Sequence, residues 1–267
     1  MPSLTKERTG DLINRGSRNP TPGGTALFVG LRALDPFIQY NILAPNGLGF
    51  TLLTALGVRA RVPGVAPQTG FPLIDTLGLS PPRLALLAMS IGSVVKQIHW
   101  RLFISQEEFP VGPAFTVGFF NTLNNSINTV AFCSVALSST GNSSESSLTA
   151  PAIAGSVFYV VGLALEWISE IQRVRFKKDP ANKGKPYMGG LWKLARHINY
   201  GGYTLWRAGF TMAGAGWGLG TFFGVLFGWD FATRAIPVLD RYCSGRYGED
   251  WNGFKEQTPY RLLPFIY

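Results

Sequence analysis

Residues Pro151–Ile171 read PAIAGSVFYVVGLALEWISEI, an apolar run with no charge before Glu166. About 20 predominantly apolar residues are enough to cross a bilayer as helix, so this stretch sets the fold class. Similar runs lie on either side of it. Ala26–Leu43 is interrupted by Arg32 and Asp35, while Leu84–Phe103 and Ala114–Leu137 are longer. The tract from Tyr203 to Leu239 suffices for two spans, with Gly228-Trp229-Asp230 or the earlier glycines as the break. Leu48–Val58 is too short to span and reads as a half-helix. The expectation is an all-α, polytopic integral membrane bundle of about six transmembrane helices.

Composition agrees. Of 267 residues, 46% are hydrophobic and only 15% charged. The net charge of +9 does not point to nucleic acid, because its distribution follows the positive-inside rule. Lys6, Arg8, Arg15 and Arg18 precede the first span, and Arg173 to Arg196 follow the fourth. Arg241, Arg246, Lys255 and Arg261 follow the last. Six spans put all three clusters, and both termini, in the cytosol. The loop Ser138–Thr149 lacks Lys and Arg, and carries the acceptor pattern Asn142-Ser143-Ser144 of a lumenal loop. Cys133 and Cys243 fall in different environments, so no disulfide is expected. Two histidines and no CxxC make a metal site a poor reading. Residues 1–23 read as a mobile cytosolic arm, and 24–267 as one membrane domain.

Chemistry concentrates in Gly190-Leu191-Trp192-Lys193-Leu194-Ala195-Arg196-His197-Ile198-Asn199-Tyr200-Gly201-Gly202, a polar element between apolar segments. Just before it, Glu166, Glu170 and Arg173 share one helical face. They fit either a salt-bridged helix end or the floor of an anionic-ligand site. Asn121, Asn124, Asn125, Ser126 and Asn128 make the third span unusually polar. Such residues can glue helices together or line a cavity, and four amides in eight residues point to a cavity. The tract Gly214-Ala215-Gly216-Trp217-Gly218-Leu219-Gly220 lacks the strand context of a dinucleotide loop and reads as helix packing.

From about Arg83 to Tyr267 the chain resembles the steroid 5-alpha-reductase superfamily, particularly its small membrane-protein branch. The resemblance is carried by Glu166…Glu170-Ile171-Gln172…Arg175-Phe176-Lys177 and Asp179-Pro180-Ala181-Asn182-Lys183-Gly184-Lys185. It continues through Gly190-Leu191-Trp192…Asn199-Tyr200…Gly202 and Ile236-Pro237-Val238-Leu239-Asp240. The close, Thr258-Pro259-Tyr260-Arg261-Leu262-Leu263-Pro264-Phe265-Ile266-Tyr267, is similar to the C-terminal signature of sterol C14 and C7 reductases.

The resemblance implies an endoplasmic reticulum enzyme that reduces an alkene in an apolar lipid substrate with NADPH, held by residues 166–267. It implies cofactor contacts from Arg173, Arg175, Lys183, Lys185, Trp192, Arg196, His197, Asn199, Tyr200, Arg234, Asp240 and Tyr242. Four positions depart from the family. Tyr203 stands where the family places an acid. His99-Trp100 replaces His-Tyr, and an indole N–H is no acid. His197-Ile198 replaces the common His-Pro, and residues 46–82 offer no equivalent of the partner Glu. His99 and Tyr203 are therefore the candidate proton donors. The same scaffold also fits an isomerase, a cyclase, an S-adenosylmethionine-dependent methyltransferase, or a non-catalytic lipid-binding membrane protein.

Overall fold

A computed structural model describes residues 16–141 and 143–267. The arm cations Lys6, Arg8 and Arg15 and the sequon's Asn142 lie outside the described residues. The described chain is all-helical and holds no strand, with an isolated bridge between Ala60 and Ser134. Its helices are α1 (Pro22–Leu43), α2 (Leu48–Ala55), α3 (Pro72–Asp75) and α4 (Pro81–His99). They continue with α5 (Val111–Cys133), α6 (Ala150–Lys178), α7 (Ile198–Asp230), α8 (Ile236–Tyr247) and α9 (Glu249–Gln257).

Prolines open several of these helices, where a missing N–H costs nothing: Pro22 in α1, Pro81 in α4 and Pro151 in α6. Helix α6 stops where Asp179-Pro180 forbids continuation. Asp179 then caps the short turn Pro180–Asn182, its Oδ1 accepting from the Ala181 amide at 2.9 Å.

The sequence left two places open for the break in the Tyr203–Leu239 tract. Gly216 is the break: its φ of 80° and ψ of −176° reverse the chain inside α7. The arms 198–215 and 217–230 then run antiparallel. Gly220 faces Met212, Gly224 faces Ala208 and Gly228 faces Thr204. A Cβ at Gly220 would sit 2.5 Å from that of Met212, so the glycines here serve close packing as well as the turn.

Six long helical segments therefore run back and forth. One end gathers the starts of α1, α5 and α7, the ends of α4 and α6, and the closing helices α8 and α9. There Ser17 Oγ donates to Glu108 at 2.7 Å, and Arg18 lies near Lys177. The other end holds Gly216 and the loops around Glu145. Buried Glu145 accepts from Arg83 at 2.7 Å and from Ser80 at 2.6 Å. Two helical stretches, Ala150–Lys178 and Ile198–Tyr247, are long and apolar enough to cross a membrane.

The most extensive contact between helices joins α6 to α7, backbone to backbone along its first arm. A Cβ at Gly162 would lie 2.4 Å from the Trp206 amide nitrogen, and one at Gly202 2.6 Å from the Gly162 carbonyl oxygen. Backbone cannot move aside as a side chain can. Gly162→Val should therefore destabilise by about 3 kcal/mol or more, whereas Gly218→Ala, which meets nothing within 4 Å, should be neutral. Thermal unfolding in detergent checks both.

Candidate functional site

The bundle's interior is polar where its outside is not. Phe37, Phe119, Phe222, Val225 and Trp229 are exposed, while Arg32, Asp35, Gln39, Lys96, Asn125, Glu166, Glu170 and Arg207 are buried. Such groups persist only if they satisfy one another. Asp35 accepts from Arg32 at 3.2 Å, Gln39 at 3.0 Å, Ser90 at 2.8 Å and Asn125 at 2.7 Å. Across the bundle, Arg207 donates to Asn125 Oδ1 at 3.1 Å and to Asn121 Oδ1. Gln97 also donates to Asn121, at 2.7 Å. The polar face of α5 is thus filled by its neighbours' side chains and glues α1, α4 and α7 together, which decides between the two roles its amides allowed.

A second buried group joins α4, α6 and α7. Lys96 pairs with Glu166 and, at 3.1 Å, with Glu170; Glu166 also accepts from Trp206 Nε1 at 2.6 Å. The shared face of Glu166 and Glu170 is therefore a buried ion pair. Arg173, one turn on, has left it for the Trp192 ring, 5.0 Å from its centroid.

The polar element Gly190–Gly202 wraps the end of the bundle where the chain terminates. A three-residue-per-turn segment, Gly190–Lys193, buries Trp192, whose Nε1 donates to the Ser169 carbonyl at 2.8 Å. Trp192, Ala195 and Ile198 pack with Cys243, Trp251 and Phe254, so α8 and α9 close over this segment. The last residues are tied down as well. The amides of Arg196 and His197 donate to the carbonyls of Tyr260 at 2.9 Å and Arg261 at 2.8 Å.

All twelve proposed cofactor residues gather at this end, but their freedom differs. Arg196 is spent on the carbonyls of Thr258 and Pro259, Arg234 on Asp230 at 2.6 Å, and Asp240 on Trp251 Nε1 at 2.8 Å. Tyr242 accepts from Arg246 at 2.9 Å. Tyr200 stacks between His197 and Phe231, with ring centroids 5.8 and 4.5 Å away. Arg173, Arg175, Lys183 and Lys185 form no ion pair among the described residues. Lys177 and Arg246, outside the predicted set, stand with Arg173. Both lean on the Tyr247 ring, and Arg173, Arg246 and Arg18 are near enough for their charges to act on Lys177. Cations that form no ion pair among the described residues fit a phosphate-bearing cofactor.

The two candidate proton donors are not brought together. His99 Nδ1 accepts from Trp167 Nε1 at 2.9 Å, and its ring lies against Phe103. Tyr203 sits half-buried among Trp206, Phe227 and Phe231, its hydroxyl accepting from Arg207 Nε at 3.1 Å. Arg207 was missed by the sequence reading. The signal was present, because a lone Arg one turn after Tyr203 in an apolar helix is a functional flag.

With this geometry in place, the comparisons are clear about kinship. A family model described as protein of unknown function (DUF1295) matches residues 111–258. The chain belongs to the DUF1295 family. This family is steroid 5-alpha-reductase-like, as the C-terminal motifs imply. A protein of Ustilaginoidea virens named probable O-methyltransferase ustE is 41% identical over 88% of this chain and 84% of its own length. The 7-dehydrocholesterol reductase of Danio rerio is 30% identical over 32% of this chain, and the Delta(14)-sterol reductase ERG24B of Gibberella zeae is 29% identical over 42%. These matches span only 18% and 33% of the two reductases.

His197 carries a pH dependence typical of a buried imidazole. Burial first, then the adjacent Arg196 charge, push its pKa down to about 3, and its Nδ1 has no hydrogen-bond partner among the described residues. Asp240 opposes this shift, while Arg173 and Arg261 add to it. A histidine depressed in the folded state binds protons more readily when unfolded. Its contribution is thus complete above about pH 6.5 and is lost as pH falls towards 3, by up to about 1.4 kcal/mol per pH unit. Unfolding midpoints measured from pH 7 to 4 should fall, and His197→Gln should flatten that fall.

Proposed function

We propose that this DUF1295 protein is an integral enzyme of the endoplasmic reticulum membrane that reduces a carbon–carbon double bond in an apolar lipid substrate with NADPH. The observation that carries the reading is the cation cluster Arg173, Lys177 and Arg246 beside the polar element, none of them in an ion pair among the described residues, at the end of the bundle holding residue 16 onward and Tyr267. Pyrophosphate and a ribose phosphate need such a cluster. Arg173, Lys177, Lys183, Lys185 and Arg246 would hold those groups, and Asn199, whose amide makes no hydrogen bond among the described residues, would meet the nicotinamide half.

When bound, NADPH supplies a hydride to an activated double bond. The chain's part is to place the substrate and complete the addition with a proton. Tyr203 is the better donor of the two candidates. Its hydroxyl accepts from Arg207, so its own proton stays free to be given, and the guanidinium stands beside the phenolate left behind. His99 instead uses Nδ1 as an acceptor for Trp167. The exposed phenyl and aliphatic side chains around the bundle suit an acyl-chain environment, and a lipid substrate would enter from there.

A second reading, O-methyl transfer from S-adenosylmethionine, is favoured by one specific finding: the relative named probable O-methyltransferase matches nearly end to end. The two cofactors separate the readings, because S-adenosylmethionine carries no phosphate for the cation cluster to meet. Thermal-shift titration of the purified protein with NADPH, NADH and S-adenosylmethionine should show NADPH stabilising best. Arg173→Ala or Lys177→Ala should weaken that binding about tenfold or more, while Tyr203→Phe should leave it intact. Preferential stabilisation by S-adenosylmethionine would establish the second reading instead. No response to any of the three would sink both and leave a non-catalytic lipid-binding protein.

A further inference from the structure

Three buried cations of the bundle interior are matched to carboxylates, while Arg101 and Arg196, at the end that gathers α8 and α9, donate to hydroxyls and backbone carbonyls. Arg32 pairs with Asp35 at 3.2 Å, Arg83 with Glu145 at 2.7 Å, and Lys96 with Glu166 and Glu170. Arg207 is 1% exposed and has no carboxylate within ion-pair distance among the described residues. Its donors end on neutral oxygens, the side-chain carbonyls of Asn121 and Asn125 and the Tyr203 hydroxyl. Asp35 is not its counter-ion, because Arg32, Gln39, Ser90 and Asn125 occupy that carboxylate. Glu166 bonds the Trp206 indole N–H, and Arg207 lies over that same ring, 4.2 Å from its centroid. Arg32 adds a second positive charge that bears on Arg207, and its own Nε is buried without a partner.

A guanidinium this deep, beside a second cation and bonded only to neutral oxygens, can take an anionic partner. Of its three hydrogen-bond partners Asn121 and Asn125 are buried, whereas Tyr203 is half-buried and meets Phe227 and Phe231 edge-on, with centroids 5.7 and 5.5 Å away. The phenol takes its hydrogen bond from Arg207 and keeps its own proton to give. We propose that the Tyr203–Arg207 pair binds an oxyanion: the substrate is an apolar molecule bearing an acidic hydroxyl or carboxyl group, held as its anion against the phenol. This rests on the reading of Tyr203 as the residue that faces substrate, and it holds for either cofactor. The aromatic rings give the apolar body a surface, and the guanidinium supplies the counter-charge.

The test needs no cofactor. 4-Nitrophenol and 4-nitroanisole share an apolar skeleton, and only the first can ionise, with a coloured anion. In uncharged detergent at about pH 6, against empty micelles as the blank, the protein should raise the nitrophenolate absorbance. It should bind nitroanisole at least about tenfold more weakly. Arg207→Gln should abolish that preference and Arg207→Lys retain it. Tyr203→Phe should keep the preference for the anion at reduced affinity, and it decides the matter alongside the wild type if the Arg207 variants do not fold. Equal binding of the two probes by the wild type, or binding of nitrophenol in its protonated form, overturns the proposal. Failure of NADPH to bind in the titration above would leave this result standing, so the two ideas fail separately.

Discussion

The demand that buried charge be answered inside the bundle organises this molecule. Arg32, Lys96 and Arg207 and the carboxylates of Asp35, Glu166 and Glu170 are all shielded from solvent. Each would be costly alone. They join five helical segments through side chains: α1, α4, α5, α6 and the first arm of α7. Asp35 alone collects donors from three of these helices. Removing one partner would orphan several others, so register and helix order are fixed by polar satisfaction as much as by apolar packing. The large exposed side chains of α5 and of the second arm of α7 are apolar and carry no such information.

Close backbone approach is the second constraint, and it brings the site to the charge. Gly155, Gly162, Gly202 and Gly209 let α6 and α7 meet backbone to backbone. That approach sets Trp206 against Glu166 and aims Tyr203 and Arg207 along the same helix. The chain reversal at Gly216 then lays Phe227 beside Tyr203. Aromatic surface, phenol and guanidinium thus converge from residues nearly thirty positions apart because one glycine adopts a conformation closed to other side chains.

Kinship and geometry weigh differently on the chemistry. The near full-length relative is named for methyl transfer, and the reductases match only a part of this chain. The cluster of Arg173, Lys177 and Arg246 around Trp192 and Tyr247 would suit the phosphates of the proposed nicotinamide cofactor. An oxyanion at Arg207 is compatible with both readings, because it concerns the substrate rather than the group transferred. Fold similarity alone does not choose between them.

Helical class, the apolar stretches, the stop at Asp179-Pro180 and the family were readable from the sequence. Each is a local or motif-level property, written in hydropathy, proline geometry and ordered short signatures. The cation cluster was readable in part: Arg173, Arg175, Lys183 and Lys185 stand in one basic run, whereas Arg246 reaches Lys177 only when α8 folds back on α6. The amides of Asn121 and Asn125 looked like a cavity lining, and only packing showed them filled by Gln97 and Arg207. Arg196, Arg234 and Asp240 matched a motif, yet tertiary contacts commit them to carbonyls, to Asp230 and to Trp251. A side chain's type is local, but its partner is not. Which charges remain unanswered, and so free for a ligand, is decided only when distant helices have taken up the rest.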